Sequence, residues 1–251
     1  MNETFSRQDP FLNVDTRIVA SVDMLCEVLQ RKALGQIKSS LYSEFFELEK
    51  KASQAIVEIE FGEVAAVSQV LAQLDRDSAL FVGNSLPLRE VDYLLTDKIK
   101  NVVSAHGLKG IDGIIAMAAG YQSANSNRLT LILGDISFLY DLNSLALLKE
   151  AKINLVILNN DGGQIFSYVD CKNTPCFKAN FLNPHGMNFK NIAAQFELDY
   201  FCAKDLVSLN QALLAASGNS ESTIIEVISD GKELQNHQVS LFSKTIERLK
   251  S

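Results

Sequence analysis

From about residue 78 onward, short continuous apolar runs alternate with segments whose apolar positions recur every three or four residues. The runs are ALFVG (79–83), NVVSA (101–105), LTLILG (129–134), NLVILNN (154–160), YFCA (200–203) and TIIEVIS (223–229). Their length and their β-branched and aromatic content predict buried strands. NSLPLREVDYLL, IDGIIAMAAGYQSA, FLYDLNSLALLKEA, FKNIAAQFEL and LVSLNQALLAA lie between them and predict helices. In the third, Phe138, Leu142, Leu145 and Leu148 share one side. Buried strands alternating with amphipathic helices imply an α/β fold, a parallel sheet with helices on both faces. Residues 1–75 read differently. TRIVAS suggests a short strand, and VDMLCEVLQRKAL, SEFFELEKKASQAIVEI and EVAAVSQVLAQL suggest helices. The expectation is a partial helical/α-β segment without its own core over 1–75, then the sheet domain over 76–251.

Composition narrows the function classes. Apolar residues make up 47% of 251, enough for a sizeable core. The formal charge is −7, from 23 basic and 30 acidic residues, which argues against nucleic acid as the main partner. No apolar run is long enough for a membrane span, and MNETFSRQDPF lacks the basic-then-apolar layout of a signal peptide. Cys26, Cys171, Cys176 and Cys202 are scattered, as expected of free thiols in a reducing cytoplasm.

The strand ends carry the candidate chemistry. On a parallel sheet, ligands bind at the carboxyl ends of the strands. Gly83-Asn84-Ser85, Gly134-Asp135 and Asn159-Asn160 all fall at such ends. A right-handed crossover sets successive parallel strands side by side, so the Asp135 carboxylate and the Asn160 amide oxygen can meet. Hard oxygen ligands suit Mg²⁺, which keeps part of its shell for phosphate oxygens and water. Ser137 stands where a helix N-cap belongs, and free amides at a helix start attract anions. Gly162 and Gly163 allow close backbone approach, and a carbonyl there completes the shell. A cation beside a helix end points to a diphosphate. Either Asp135 or Asn160 alone reads as an ordinary turn residue; the pair at this spacing favours the metal reading.

FVGNSLPLREVD, GIDGIIAMAAG, GDISFLYDLNSL, NNDGGQIFS and NPHGMNF occur in this order. They resemble the C-terminal region of the SEPHCHC synthase (MenD) family of menaquinone biosynthesis. GD…NN by itself resembles the general thiamine-diphosphate motif. The resemblance implies a thiamine-diphosphate-binding fold of the diphosphate-binding type, with residues 1–75 as a remnant of the family's middle domain. It implies thiamine diphosphate and Mg²⁺ as cofactors, and 2-oxoglutarate and isochorismate as substrates. Asp135, Asn160 and the Gly162 carbonyl would ligate the metal. Ser85, Gly134, Ser137 and Gly163 would lie along the cofactor, and Ile111 would support it from beneath. Arg89 would pair with a substrate carboxylate, as guanidinium forks do. Ile165 and Phe166 would form an apolar wall.

Two departures accompany the resemblance. The family reads Asn-Arg-Gly-Ala-Ser-Gly before IDG, whereas this chain reads Ala105-His106-Gly107-Leu108-Lys109-Gly110. His106 therefore stands in a substrate-binding arginine's place. The class also binds the aminopyrimidine, and draws its activating glutamate, from a separate N-terminal domain, for which no counterpart is expected in these residues. No catalytic residue is assigned. Two expectations follow: half of an enzyme that acts with a pyrimidine-domain polypeptide or as a homo-oligomer, or a truncated module that binds Mg²⁺ and diphosphate without turnover.

Overall fold

The computed structural model of the chain describes residues 16, 18–32, 40–56, 60–95, 99–105, 107, 109–125, 127–231, 239 and 243–247. They belong to two compact units, Met1–Phe46 and Glu47–Ser251. In the first, TRIVAS is reduced among described residues to a single bridge position at Val19. It is followed by helix α1 (Val22–Arg31), whose N-cap Ser21 accepts from the Met24 amide. Helix α2 (Leu41–Ile56) begins before the division.

The second unit is built on one sheet. Its strands are β1 (Ala79–Val82), β2 (Asn101–Ser104), β3 (Leu129–Gly134), β4 (Ile153–Asn159), β5 (Asp199–Ala203) and β6 (Thr223–Ile228). Their order is β2-β1-β3-β4-β6-β5, and every pairing is parallel. Alternate residues of each strand serve opposite faces. Phe81, Leu131, Leu133, Leu155, Ile157 and Ile224 pack on one side with Ile114, Ile115, Phe138, Leu145, Leu148 and Phe189. Leu80, Val82, Ile132, Val156, Leu158, Ile225 and Val227 pack on the other with Val67, Val70, Val91, Leu209 and Leu213. The first face is covered from α5 (Ile114–Ser123), α6 (Asp135–Leu139) and α7 (Lys190–Gln195). The second is covered from α3 (Glu63–Gln73), α4 (Leu86–Leu94) and α8 (Leu206–Gly218). The parallel sheet with helices on both faces is therefore the architecture that the hydrophobic pattern implies.

Helix α3 belongs to the second unit, and its Ala66, Val67 and Val70 are fully buried in the sheet's second core. Two sequence expectations are corrected. The segment from Phe138 to Ala151 is not one helix: α6 ends at Leu139, and a 3₁₀ helix runs from Leu142 to Lys149. The break falls at Asp141, whose Oδ2 accepts from the amides of Ile115 at 2.7 Å and Ala116 at 3.2 Å. That carboxylate serves the start of α5 rather than a continuous helix of its own. Finally, Ser137 is not an N-cap, because the helix begins at Asp135 with Gly134 as its cap; Ser137 sits buried within the first turn.

Candidate functional site

The chain moves from β1 outward to β2 and then returns to the other side of β1 as β3. The carboxyl ends of β1 and β3 thus form a switch point, the usual ligand crevice of open parallel sheets. At Gly83, just beyond β1, an added Cβ would lie 2.8 Å from that of Leu133, so the two strand ends approach too closely for a side chain. Asn84 is buried, and its amide nitrogen donates to the carbonyls of Ala105 and Gly110, tying both ends of the following loop to β1. Ser85 has φ 80° and ψ −136°, a conformation nearly reserved for glycine. Strain of that kind persists only where the surroundings impose it, and it concentrates at ligand sites. Arg89 follows one turn into α4, with an exposed side chain.

Gly134 and Leu158 are in register across β3 and β4, so Asp135 and Asn160 leave adjacent strands side by side. Asp135 is buried. Its Oδ1 accepts from the Ile136 amide at 2.7 Å, and its Oδ2 accepts from the Gly162 amide at 2.8 Å and from His185 Nε2 at 3.0 Å. The Met187 amide donates to Nδ1 of the same ring, which fixes Nε2 as the protonated nitrogen. The hydrogen bond to Asp135 raises the His185 pKa, and burial opposes the rise. Asn160 Nδ2 donates to Glu63 Oε1 at 2.7 Å, while Asn160 Oδ1 is buried with no protein donor. Gly162 has φ 128°, and an added Cβ would lie 2.1 Å from the Leu182 carbonyl oxygen. Only glycine fits there.

These groups converge. Ser85, Ile111, Gly134, Asp135, Ser137, Asn160, Gly162, Gly163, Ile165 and Phe166 line one pocket of about 150 Å³. A neighbouring cleft of about 770 Å³ shares Ser85, Ile111, Ile165 and Phe166 and adds Arg89, Lys109 and Val169. His106 lies outside the described residues. The other residues assigned site roles from the strand ends and from the resemblance line one or both of these adjoining cavities.

Comparison with known proteins sets this geometry in context. No family model matches the chain. It is 39% identical over 202 residues to the 2-succinyl-5-enolpyruvyl-6-hydroxy-3-cyclohexene-1-carboxylate synthase of Halorhodospira halophila, covering 78% of the chain and 36% of that protein. It is 32% identical over 250 residues to the synthase of the same name from Prosthecochloris aestuarii, covering 97% and 43%. The chain belongs to this family, matching part of its members' length. It spans about two fifths of these curated SEPHCHC synthases. Among solved structures, benzoylformate decarboxylase from Polynucleobacter necessarius superimposes with a TM-score of 0.60 at 14% identity, over 67% of this chain and 33% of that one. An enzyme of Mycobacterium smegmatis described as thiamin diphosphate-dependent gives 0.57 at 17%, over 68% and 32%. At such identities the likeness is one of fold.

The donor set suits a hard, partly hydrated cation. No group of three or more His, Cys, Asp or Glu side chains among the described residues makes a metal cage. What exists is one carboxylate beside a buried amide oxygen that has no donor. An unsatisfied buried acceptor is costly, and a cation is a group that would satisfy it. Hard oxygens in small number are what Mg²⁺ accepts.

Two features escaped the sequence reading. His185 lies 50 positions from Asp135, whose carboxylate it binds, and no spacing in the sequence marks that contact. Glu63 starts α3 in a segment read as a helix without chemistry, 97 positions from Asn160. Glu63 and Glu90 of α4 are both fully buried, and Glu63 Oε2 and both Glu90 oxygens have no hydrogen-bond partner. Burial pushes Glu63 up to about 7 and Glu90 well above the carboxylate range, each reinforced by a neighbouring acid. The Tyr93 and Tyr168 hydroxyls, near the same pair, are also raised by burial and by the two acids.

Proposed function

We propose that the second unit supplies the Mg²⁺- and diphosphate-holding part of a thiamine-diphosphate-dependent SEPHCHC synthase. The observation that carries the reading is the pocket at the switch point, which the buried Asp135 and Asn160, with its donorless oxygen, both line. Asp135, Asn160 and the Gly162 carbonyl would hold the cation, and Gly134, Ser137, Gly163 and Ser85 would lie along the diphosphate. Thiamine diphosphate, when bound, supplies the centre that stabilises a carbanion. This chain's residues then have separate tasks. Ile111 gives the cofactor an apolar support. Ile165 and Phe166 exclude water from the shared wall of the two cavities, which favours neutral over charged species there. Arg89 and Lys109 place positive charge on the larger cleft, matching carboxylates such as those of 2-oxoglutarate and isochorismate. His106 would take part in the same recognition. The family resemblance puts the aminopyrimidine in another domain, so turnover belongs to an assembly with that domain, supplied by a separate polypeptide or another subunit. Residues 1–75 would correspond to part of the family's middle domain.

The experiment is calorimetric titration of the chain with thiamine diphosphate in the presence and absence of Mg²⁺. Binding should require the metal, and Asp135→Ala should reduce affinity at least a hundredfold, because the site loses its formal negative charge. Unchanged affinity in Asp135→Ala would remove the cation site. Metal-dependent binding with no CO₂ release from 2-oxoglutarate, even after a pyrimidine-domain polypeptide is added, would leave a non-catalytic binding module.

A further inference from the structure

The cation site needs an oxygen from Asn160, and the side chain alone does not decide which end it presents. A carboxamide is nearly symmetric in shape and opposite in chemistry at its two ends, an acceptor at one and a double donor at the other. Turned by half a rotation, Asn160 would offer N–H groups where a cation requires an oxygen. In the structure its nitrogen donates to Glu63 Oε1 at 2.7 Å, which leaves Oδ1 as the end without a protein donor. Glu63 is well placed to enforce that choice. It is 1% exposed, lines the same pocket as Asn160, and occupies the first position of α3, whose apolar side is locked into the sheet core. A carboxyl oxygen on a rigid element therefore meets a carboxamide that has no other side-chain partner among the described hydrogen bonds.

The geometry points to Glu63 as the positioning residue for Asn160, holding its carboxamide so that the oxygen is left for a divalent cation. This rests on the cation-site reading above, and the two can fail separately. The first measurement needs no ligand: the Asn160 side-chain amide resonances of the full chain, identified by their loss in Asn160→Asp. They should exchange slowly with solvent in the wild type and in Glu63→Gln, whose amide oxygen still accepts. They should exchange at least tenfold faster in Glu63→Leu, or in Glu63→Met if the leucine variant does not fold. The second measurement is calorimetry of Mg²⁺ with thiamine diphosphate. Glu63→Leu should weaken apparent Mg²⁺ affinity at least tenfold, and Glu63→Gln by less than threefold. In an Asn160→Asp background, Glu63→Leu should change affinity by less than threefold, because the two oxygens of a carboxylate are equivalent and need no orientation. Equal damage from Glu63→Gln and Glu63→Leu would overturn the inference, as would an undiminished cost of Glu63→Leu on the Asn160→Asp background. If the wild type binds no Mg²⁺ with the diphosphate, the cation reading fails, and the exchange rates still decide whether Glu63 fixes the amide.

Discussion

Strand β4 ends in two consecutive asparagines, and each meets a buried glutamate on its own side of the sheet. On one side, Glu226 is fully buried and satisfied: it accepts from Asn159 Nδ2 at 2.6 Å, the Tyr200 hydroxyl at 2.5 Å and the Phe189 amide at 2.9 Å. On the other, Glu63 accepts from Asn160 and stands against a second buried acid, Glu90. Both clusters are buried, polar and close to one strand end. One is complete in itself, and the other has fewer donors than acceptors. A complete cluster fixes a backbone. An incomplete one is costly, and such groups persist mainly where function retains them.

The largest effect expected from this contrast is at the complete cluster. Glu226→Leu would strand three donors, of Asn159, Tyr200 and Phe189, inside the core. Losses of that kind cost roughly 3–5 kcal/mol, which for a unit of about 200 residues is a fall in Tm of about 10 °C. Thermal denaturation checks it. A change below about 1 kcal/mol would show that the cluster holds nothing in place.

At the incomplete cluster the sign reverses. Glu63 is raised from its usual 4.5 to about 7, and Glu90 further, with burial the leading cause in both. Below pH 4.5 both states are protonated, and the stability is fully present. As pH rises, the unfolded chain releases these protons first, so stability falls and continues to fall through about 7. Glu90→Gln removes the second charge and offers an amide to Glu63. It should flatten the decline between pH 5 and pH 8 and raise stability at pH 8 by roughly 1–3 kcal/mol. Paired denaturation curves at the two pH values test this. An unchanged pH slope in Glu90→Gln would mean that the pair carries no such penalty. The same Glu→Gln change at position 226 should destabilise, because it turns a donor toward donors.

The contrast also separates what the sequence makes legible from what it does not. LTLILG, NLVILNN and TIIEVIS announce strands because uninterrupted apolar runs of that length have one comfortable place, the middle of a parallel sheet. Asp135 and Asn160 are legible because strand ends are local, and adjacency follows from a single crossover. Asp141 misleads, because its carboxylate serves amides 25 or 26 positions earlier and the expected helix breaks there. Glu63 and His185 are illegible for the same reason in stronger form. Their partners lie 97 and 50 positions away, and nothing in FGEV or NPHGMNF states which strand end they will face.

The smallest stability effect should come at a residue of the proposed cation site. Asn160→Ala removes the hydrogen bond to Glu63, which leaves a buried carboxyl oxygen without its donor and costs about 1–3 kcal/mol. It also removes the orphaned Oδ1, a buried acceptor that itself lacked a partner, so a penalty of similar kind disappears. The terms oppose one another, and the net change should stay within about 1 kcal/mol. Asn159→Ala has no such offset, since its three described side-chain hydrogen bonds, from Nδ2 to Glu226 and to the Met187 carbonyl at 3.0 Å and to Oδ1 from the Asp161 amide at 3.2 Å, all involve groups that stay behind; it should cost about 1–3 kcal/mol. Chemical denaturation of the two alanine variants beside the wild type makes the test. Equal losses at 159 and 160 would abolish the distinction between the two sides of β4. A near-neutral Asn160→Ala that no longer binds Mg²⁺ would identify position 160 as one where an oxygen is kept for a ligand at no gain to the fold.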